Sequence, residues 1–197
     1  MFHSINDVLA DAHLRAASNL FAPSVVLKCR GRALFRSQKA RNLACYFDLI
    51  PDVLAWSCLP FLLGSTETFH IPDFAVQRVD GDYLVDVHDT PEWALAAAED
   101  EGWLYDCASY QHDNNAVLIA NAVDLLPYAR TSTVSLSDRV RLLTVLDDDG
   151  PLPLKHCFQL IRNSSEPMAA IAALYFSGEI VFDLTERIAP ETRVSRT

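Results

Sequence analysis

An α/β fold followed by a small C-terminal module is predicted by three observations: the order of the segments, the apolar content and one change of pattern. From Ser37 to Tyr128 the chain reads helix, three strands, helix, strand, helix, the succession expected of a mixed sheet flanked by helices. Half of the 197 residues are hydrophobic, enough to bury a core. Near Thr131 the polar stretch TSTVSLSD opens a second, shorter pattern, so the expected units are residues 1–130 and 131–197.

Each element has a local reason. From Ile5 to Phe21, Val8, Leu9, Ala12, Ala16 and Leu20 recur at nearly helical spacing, with Asn6 offering a cap. Ser24 to Phe35 starts with β-branched residues around a central Gly31 and reads as a strand or loose hairpin. Ser37 caps a second helix that turns Ala40, Leu43, Ala44, Phe47 and Ile50 to one side and stops at Pro51. Strands are expected over residues 53–59, 69–78 and 83–88, the last two joined at Asp80-Gly81 in an antiparallel meander. A helix from Pro91 to Glu101 stops at Gly102, residues 103–108 form a further strand, and Asn115 to Tyr128 form a helix. In the second unit, helices over 136–146, 152–161 and 168–176 precede a short strand from Glu179 to Leu184; three short helices and a β-element describe a winged-helix-like module.

Charge is distributed unevenly. The net charge is −10, yet the first 45 residues carry seven basic and two acidic side chains. The overall acidity argues against indiscriminate nucleic-acid binding and leaves a local basic face available. That face is Lys28, Arg30, Arg32, Arg36, Lys39 and Arg41, a run without an acid that could track a phosphate backbone or balance the acidic stretch from Asp80 to Asp106. No apolar run approaches the ~18 residues of a membrane span, and acids stand near the N-terminus where a signal peptide needs basic and apolar residues. A cytoplasmic protein without membrane contact is expected. Five scattered cysteines with no CxxC pair argue against a disulfide framework or a zinc finger, and most of them are expected as small buried residues. Nothing resembles a Gly-rich phosphate loop or a Gly-x-Ser-x-Gly elbow.

The chemistry concentrates in His70-Ile71-Pro72-Asp73-Phe74 and, after the turn, Leu84-Val85-Asp86-Val87-His88. Carboxylates on two paired strands can converge on one cation, and Asp86 and His88, two residues apart, share a face. Asp73 and Asp86 are thus candidate ligands for Mg²⁺ or Mn²⁺, hard cations that activate water and neutralise phosphate charge. A small transition-metal site drawn from His70, Asp86, His88 and Asp89 is a further possibility.

At these residues the chain resembles the PD-(D/E)xK nuclease superfamily, and within it the TnsA-type transposon endonucleases. That family reads as a Glu-Ser-x-x-Glu-Arg helix start, an Asp-Pro-x-Val turn, a Gln-Pro, a Tyr/His-x-Pro-Asp-Phe strand and a Glu-Val-Lys strand. The corresponding text here is Arg36-Ser37-Gln38-Lys39-Ala40-Arg41, Ile50-Pro51-Asp52-Val53, Leu59-Pro60, His70-Ile71-Pro72-Asp73-Phe74 and Asp86-Val87-His88. The tail is also similar, with Asp149-Gly150-Pro151-Leu152 leading into helices and a last strand after Gly178. The resemblance implies a restriction-endonuclease-like core, a site built on Asp73, Asp86 and His88 in the lysine role, and partners such as DNA, a transposase subunit and an AAA+ regulator.

The departures carry equal weight. Arg36 and Ala40 replace the two helix acids, Leu59 replaces the Gln, and His88 replaces the catalytic Lys. A guanidinium beside the metal position repels a cation and can pair with Asp73 or Asp86. The expectation is a catalytically impaired member of this family that acts in a mobile element as an accessory or regulatory factor binding DNA or protein, with no cofactor. Two alternatives stand beside it: an active Mg²⁺- or Mn²⁺-dependent DNA endonuclease of transposition or recombination, and an acidic interaction module whose face is Asp80 to Asp106. In the C-terminal module, only Lys155, His156 and Arg162 are offered for DNA, which favours protein docking there.

Overall fold

The computed structural model describes residues 4–129, 133–184 and 186–197, with the backbone alone over 107–114. It is mixed α/β and divides into two compact units, residues 1–119 and 120–197.

In the first unit, helix α1 (Ile5–Ala17) begins at Ser4, whose hydroxyl accepts a hydrogen bond from the Asp7 amide at 3.2 Å; Ser4 is therefore the cap, not Asn6. The helix closes at Ser18, so it ends before the expected Phe21 and leaves Leu20 exposed. Helix α2 (Gln38–Leu49) begins as expected, with Ser37 Oγ accepting from the Ala40 amide at 3.1 Å. Its buried side includes Ala40, Leu43, Ala44 and Phe47, and also the polar Arg41 and Asp48.

Those two polar residues explain why residues 24–35 are not the expected strand or hairpin. The segment makes one isolated bridge, Cys29 to Trp56. The Arg41 guanidinium donates to the carbonyls of Pro23 and Val25, while Asp48 Oδ1 accepts from the Lys28 amide at 2.9 Å and from Trp56 Nε1 at 2.8 Å. Backbone groups that a ladder would satisfy are satisfied from α2 instead.

Strand β1 (Val53–Cys58) is followed by the two-residue pair β2 (Leu63–Gly64) and β3 (Phe69–His70), then by β4 (Phe74–Arg78) and β5 (Gly81–Asp86). The strand expected over 69–78 is interrupted at Ile71-Pro72-Asp73, where Pro72 cannot donate to a ladder. Helix α3 (Glu92–Asp100) leads to β6 (Leu104–Cys107), which runs parallel to β5 and completes the sheet order β1-β4-β5-β6; the other pairs are antiparallel. Alternation sorts the sheet's side chains: Trp56, Phe74, Val76 and Val85 join Val8, Ala44 and Phe47 in one core, whereas Leu84 and Ala75 meet Ala94 and Ala98 of α3 in another.

Helix α4 (Ala108–Leu125) runs across the boundary of the units and continues as a 3₁₀ turn, Leu126–Tyr128. The boundary thus falls inside a helix, ahead of the expected residue 130. The reason is Asn121: fully buried, it donates to the carbonyls of Leu184 and Glu186 at 3.2 and 2.8 Å and accepts from the Ile188 amide at 3.0 Å, tying the end of α4 to the second unit.

That unit continues as α5 (Leu136–Asp149), β7 (Leu152–Pro153), α6 (Leu154–Leu160), α7 (Pro167–Phe176), β8 (Ile180–Phe182) and β9 (Arg193–Arg196), with an antiparallel sheet ordered β7-β9-β8. Strand β9 was not expected; in RVSR only Val194 is buried. Buried Asp138 anchors the unit by accepting from the amides of Arg162 and Asn163, both at 2.9 Å, and from Arg141 Nη1 at 2.6 Å. Burial pushes this carboxyl up, but the two amides, with Ser135 and Arg141, outweigh it and hold its pKa well below the ordinary carboxylate range. A depressed folded pKa gives stability that is complete above the unfolded value of ~3.9 and is lost as pH falls through the folded value. Asp138→Asn is accordingly expected to lower Tm at pH ~7, with the gap to the native protein narrowing under strong acid; calorimetry that finds a pH-independent gap would refute the assignment.

Candidate functional site

The site lies where β4 and β5 start and end. The register pairs Phe74 with Val85, so Asp73, just before β4, lies beside Asp86 at the end of β5. The two are linked directly: the Asp73 amide donates to Asp86 Oδ1 at 2.9 Å, and Asp73 Oδ2 accepts from the Val87 amide at 3.0 Å. Both carboxylates are buried, at 7% and 3% exposure. The sequence anticipated their convergence, and the hairpin register accounts for it.

The surrounding groups leave little of either carboxylate for a cation. Asp86 Oδ2 accepts from His70 Nε2 at 2.6 Å, from Tyr105 Oη at 2.7 Å and from Thr90 Oγ1 at 2.7 Å. Burial raises a carboxyl's pKa, but here the hydrogen bonds from His70, Tyr105 and Thr90 together outweigh it, so Asp86 lies below its usual value. Tyr105 is pushed the opposite way, by burial first and then by its bond to Asp86, which keeps the phenol a donor. Burial also raises the pKa of Asp73, opposed chiefly by the charge of Arg36.

Arg36 stands one residue ahead of the α2 cap. Its Nη2 donates to the carbonyl of Ile71 and, at 3.3 Å, to that of Pro72, and its Nε lies 3.4 Å from Asp73 Oδ1. Lys39, in the first turn of α2, donates to the Val87 carbonyl at 3.3 Å. His88 is exposed at the rim. An open cavity of about 250 Å³ is lined by Arg36, Ser37, His70, Asp73, Asp86 and His88, and a groove of about 590 Å³ between α1 and Phe69 to Ile71 shares Arg36 and His70 with it.

The donor set does not fit Mg²⁺ or Mn²⁺, which need several oxygen ligands at close to octahedral geometry. Asp86 spends both oxygens on protein donors, Arg36 ahead of the α2 cap sets a cation beside Asp73, and Leu59, where the resemblance places Gln, is 1% exposed within the apolar core. Among the described residues no group of three or more His, Cys, Asp or Glu side chains could hold a metal ion.

The basic run is also dispersed. Arg41 is fully buried on backbone carbonyls and over the Phe35 ring, at 5.1 Å, so contrary to expectation it is not on the surface to meet a nucleic acid. Lys28 is half-buried on the Ile50 carbonyl and Lys39 is engaged with Val87, whereas Arg30, Arg32 and Arg36 remain exposed. In the acidic stretch, Asp106 pairs with Arg78 at 3.2 Å and Asp80 accepts from the Tyr83 hydroxyl at 3.1 Å. Tyr105 and Thr90 were missed as site residues, because their place depends on the parallel register of β6 and the turn after β5. No helix of the described residues is long and apolar enough to cross a membrane. No family model matches the chain, and no curated protein matches it.

Proposed function

We propose that this chain is a catalytically impaired TnsA-like protein, built on a restriction-endonuclease-like core and a winged-helix-like module, that serves a mobile element by binding DNA or protein without cutting. The observation that carries this reading is Arg36, seated on Asp73 and the Ile71 and Pro72 carbonyls beside an Asp86 already saturated with donors. Such an arrangement gives the charge of both carboxylates to the protein's own donors, which supports the reading of a site that does not cut. The order α5-β7-α6-α7-β8-β9, with the sheet β7-β9-β8, supports the winged-helix part of the reading. In that arrangement α7 would be the recognition helix, and its sequence PMAAIAALYF carries no Arg, Lys, Asn, Gln, Asp or Glu to pair with a base edge, which favours a transposase subunit or an AAA+ regulator over DNA as this module's partner.

The test is supercoiled-plasmid nicking with Mg²⁺ or Mn²⁺. No metal-dependent nicking above background is expected. Nicking that requires the metal and disappears in Asp73→Ala would overturn the proposal and establish the enzyme reading. DNA contact by the first unit is tested separately with Arg30→Glu/Arg32→Glu, two exposed residues clear of the carboxylates. Fluorescence anisotropy on duplex DNA should show weaker binding and a salt slope reduced by about 2; an unchanged slope removes DNA from this face and leaves a protein partner.

A further inference from the structure

The thiols of Cys29 and Cys58 meet on the core face of β1. Cys29 sits opposite Trp56 in the isolated parallel bridge, fixed by the Trp56 amide on the Lys28 carbonyl at 3.1 Å and the Arg30 amide on the Trp56 carbonyl at 2.7 Å. Residues opposite one another, and residues two apart on one strand, share a face, so Cys58 is the diagonal neighbour of Cys29. Cys58 lies in the core with Trp56, Cys29 packs against it, and each thiol is near enough to shift the ionisation of the other. They differ in access: Cys29 is partly exposed, Cys58 is buried, and both are free thiols.

We propose that Cys29 and Cys58 form a reversible disulfide in which Cys29 is the oxidant-sensing thiol and Cys58 the resolving one, the oxidant being hydrogen peroxide. This assignment stands apart from the nuclease-fold reading. The Cys29 thiolate attacks the peroxide; an S–O bond forms, the O–O bond breaks, and the departing hydroxide takes a proton to become water. The Cys58 thiol then attacks the Cys29 sulfur: the S–S bond forms, the S–O bond breaks, and the second hydroxide leaves as water with the Cys58 proton. Two thiols are oxidised and one peroxide is reduced to two waters. The neighbouring Cys58 lowers the Cys29 pKa ahead of the opposing effect of burial, while Cys29 together with burial raises Cys58, which is the division of labour such a pair needs. The closed loop would hold the Lys28–Arg30 segment covalently against β1 and enclose Arg32, Arg36 and all of α2.

The experiment treats the reduced full chain with hydrogen peroxide and maps the cysteines by mass spectrometry after alkylation. The expected product has lost two hydrogens in mass, carries the Cys29–Cys58 link, leaves Cys45 and Cys157 reduced, and returns to the starting mass with dithiothreitol. In Cys58→Ser, Cys29 should instead accumulate as a sulfenic acid trapped by dimedone, and in Cys29→Ser no link to Cys58 should form. A link between other cysteines, a link only between two molecules, or Cys29 left alkylatable after treatment would each overturn the proposal; mapping on the unaltered chain decides the matter even if Cys58→Ser does not fold.

Discussion

Phe74→Ala is expected to destabilise the first unit by about 3–5 kcal/mol, the range for truncating a buried aromatic. The ring is 1% exposed and stands edge-on to Phe47 at 5.3 Å and to Trp56 at 5.9 Å, with Phe35 at 6.4 Å. These four rings come from α2, β1, β4 and the irregular segment before α2, so one truncation opens a cavity where all of them meet and no single side chain can move to fill it. Phe74 also pairs with both Cys58 and Val85 across the ladder, next to Asp73. Urea unfolding should show a lower midpoint with an unchanged slope. Phe69→Ala, at a 42% exposed ring, is the control and should cost far less. A loss below about 1 kcal/mol for Phe74→Ala would mean that this core is not close-packed.

Features with local causes were legible in the sequence. The Ser37 cap, the stop at Pro51 and the hairpin through Asp80-Gly81 each depend on a few adjacent residues, and the convergence of Asp73 and Asp86 followed from that hairpin alone. Features supplied from a distance were not. Residues 24–35 look like a strand because Val25, Val26 and Leu27 favour one, yet their backbone is held by Arg41 and Asp48 from α2, and no local pattern marks two polar residues as buried partners. Arg41 accordingly read as part of a basic surface. Strand β9 escaped notice because a single buried Val194 in a polar tetrapeptide has no visible period. At the site, the acids and their neighbouring cation could be named from the sequence, but the saturation of Asp86 could not: Tyr105 arrives through a parallel pairing made only after α3, and Thr90 through the turn after β5.

Asp86→Ala tests what kind of carboxylate the site contains. Where two carboxylates are held together for a metal, removing one relieves like-charge repulsion and stabilises the metal-free protein. At Asp86 the opposite is expected, a loss of about 3–5 kcal/mol, because the side chain is a buried anion whose removal strands the Asp73 amide, His70, Tyr105 and Thr90 without their common acceptor. Asp86→Asn should rescue only part: its one oxygen can serve the Asp73 amide, but its NH₂ group cannot accept, so His70 must change tautomer and the Tyr105 and Thr90 hydroxyls must turn to receive it. The pH dependence carries the same sign argument. The folded pKa of Asp86 is depressed, so its contribution is complete above the unfolded value of ~3.9 and is lost as pH falls through the folded value. The stability gap between native protein and Asp86→Ala should therefore close on acidification. Asp73, whose folded pKa is raised, works against the fold in the opposite sense, losing that unfavourable share as it protonates, and it does so in both proteins. A second readout is spectroscopic: without Asp86 the Tyr105 phenol keeps its burial but loses its ionised partner, and its phenolate absorbance should appear at lower alkaline pH. Greater stability of metal-free Asp86→Ala than of the native chain would show that the carboxylate pair is held against its own repulsion, as a cation site would be, and would reverse the structural role assigned to this network.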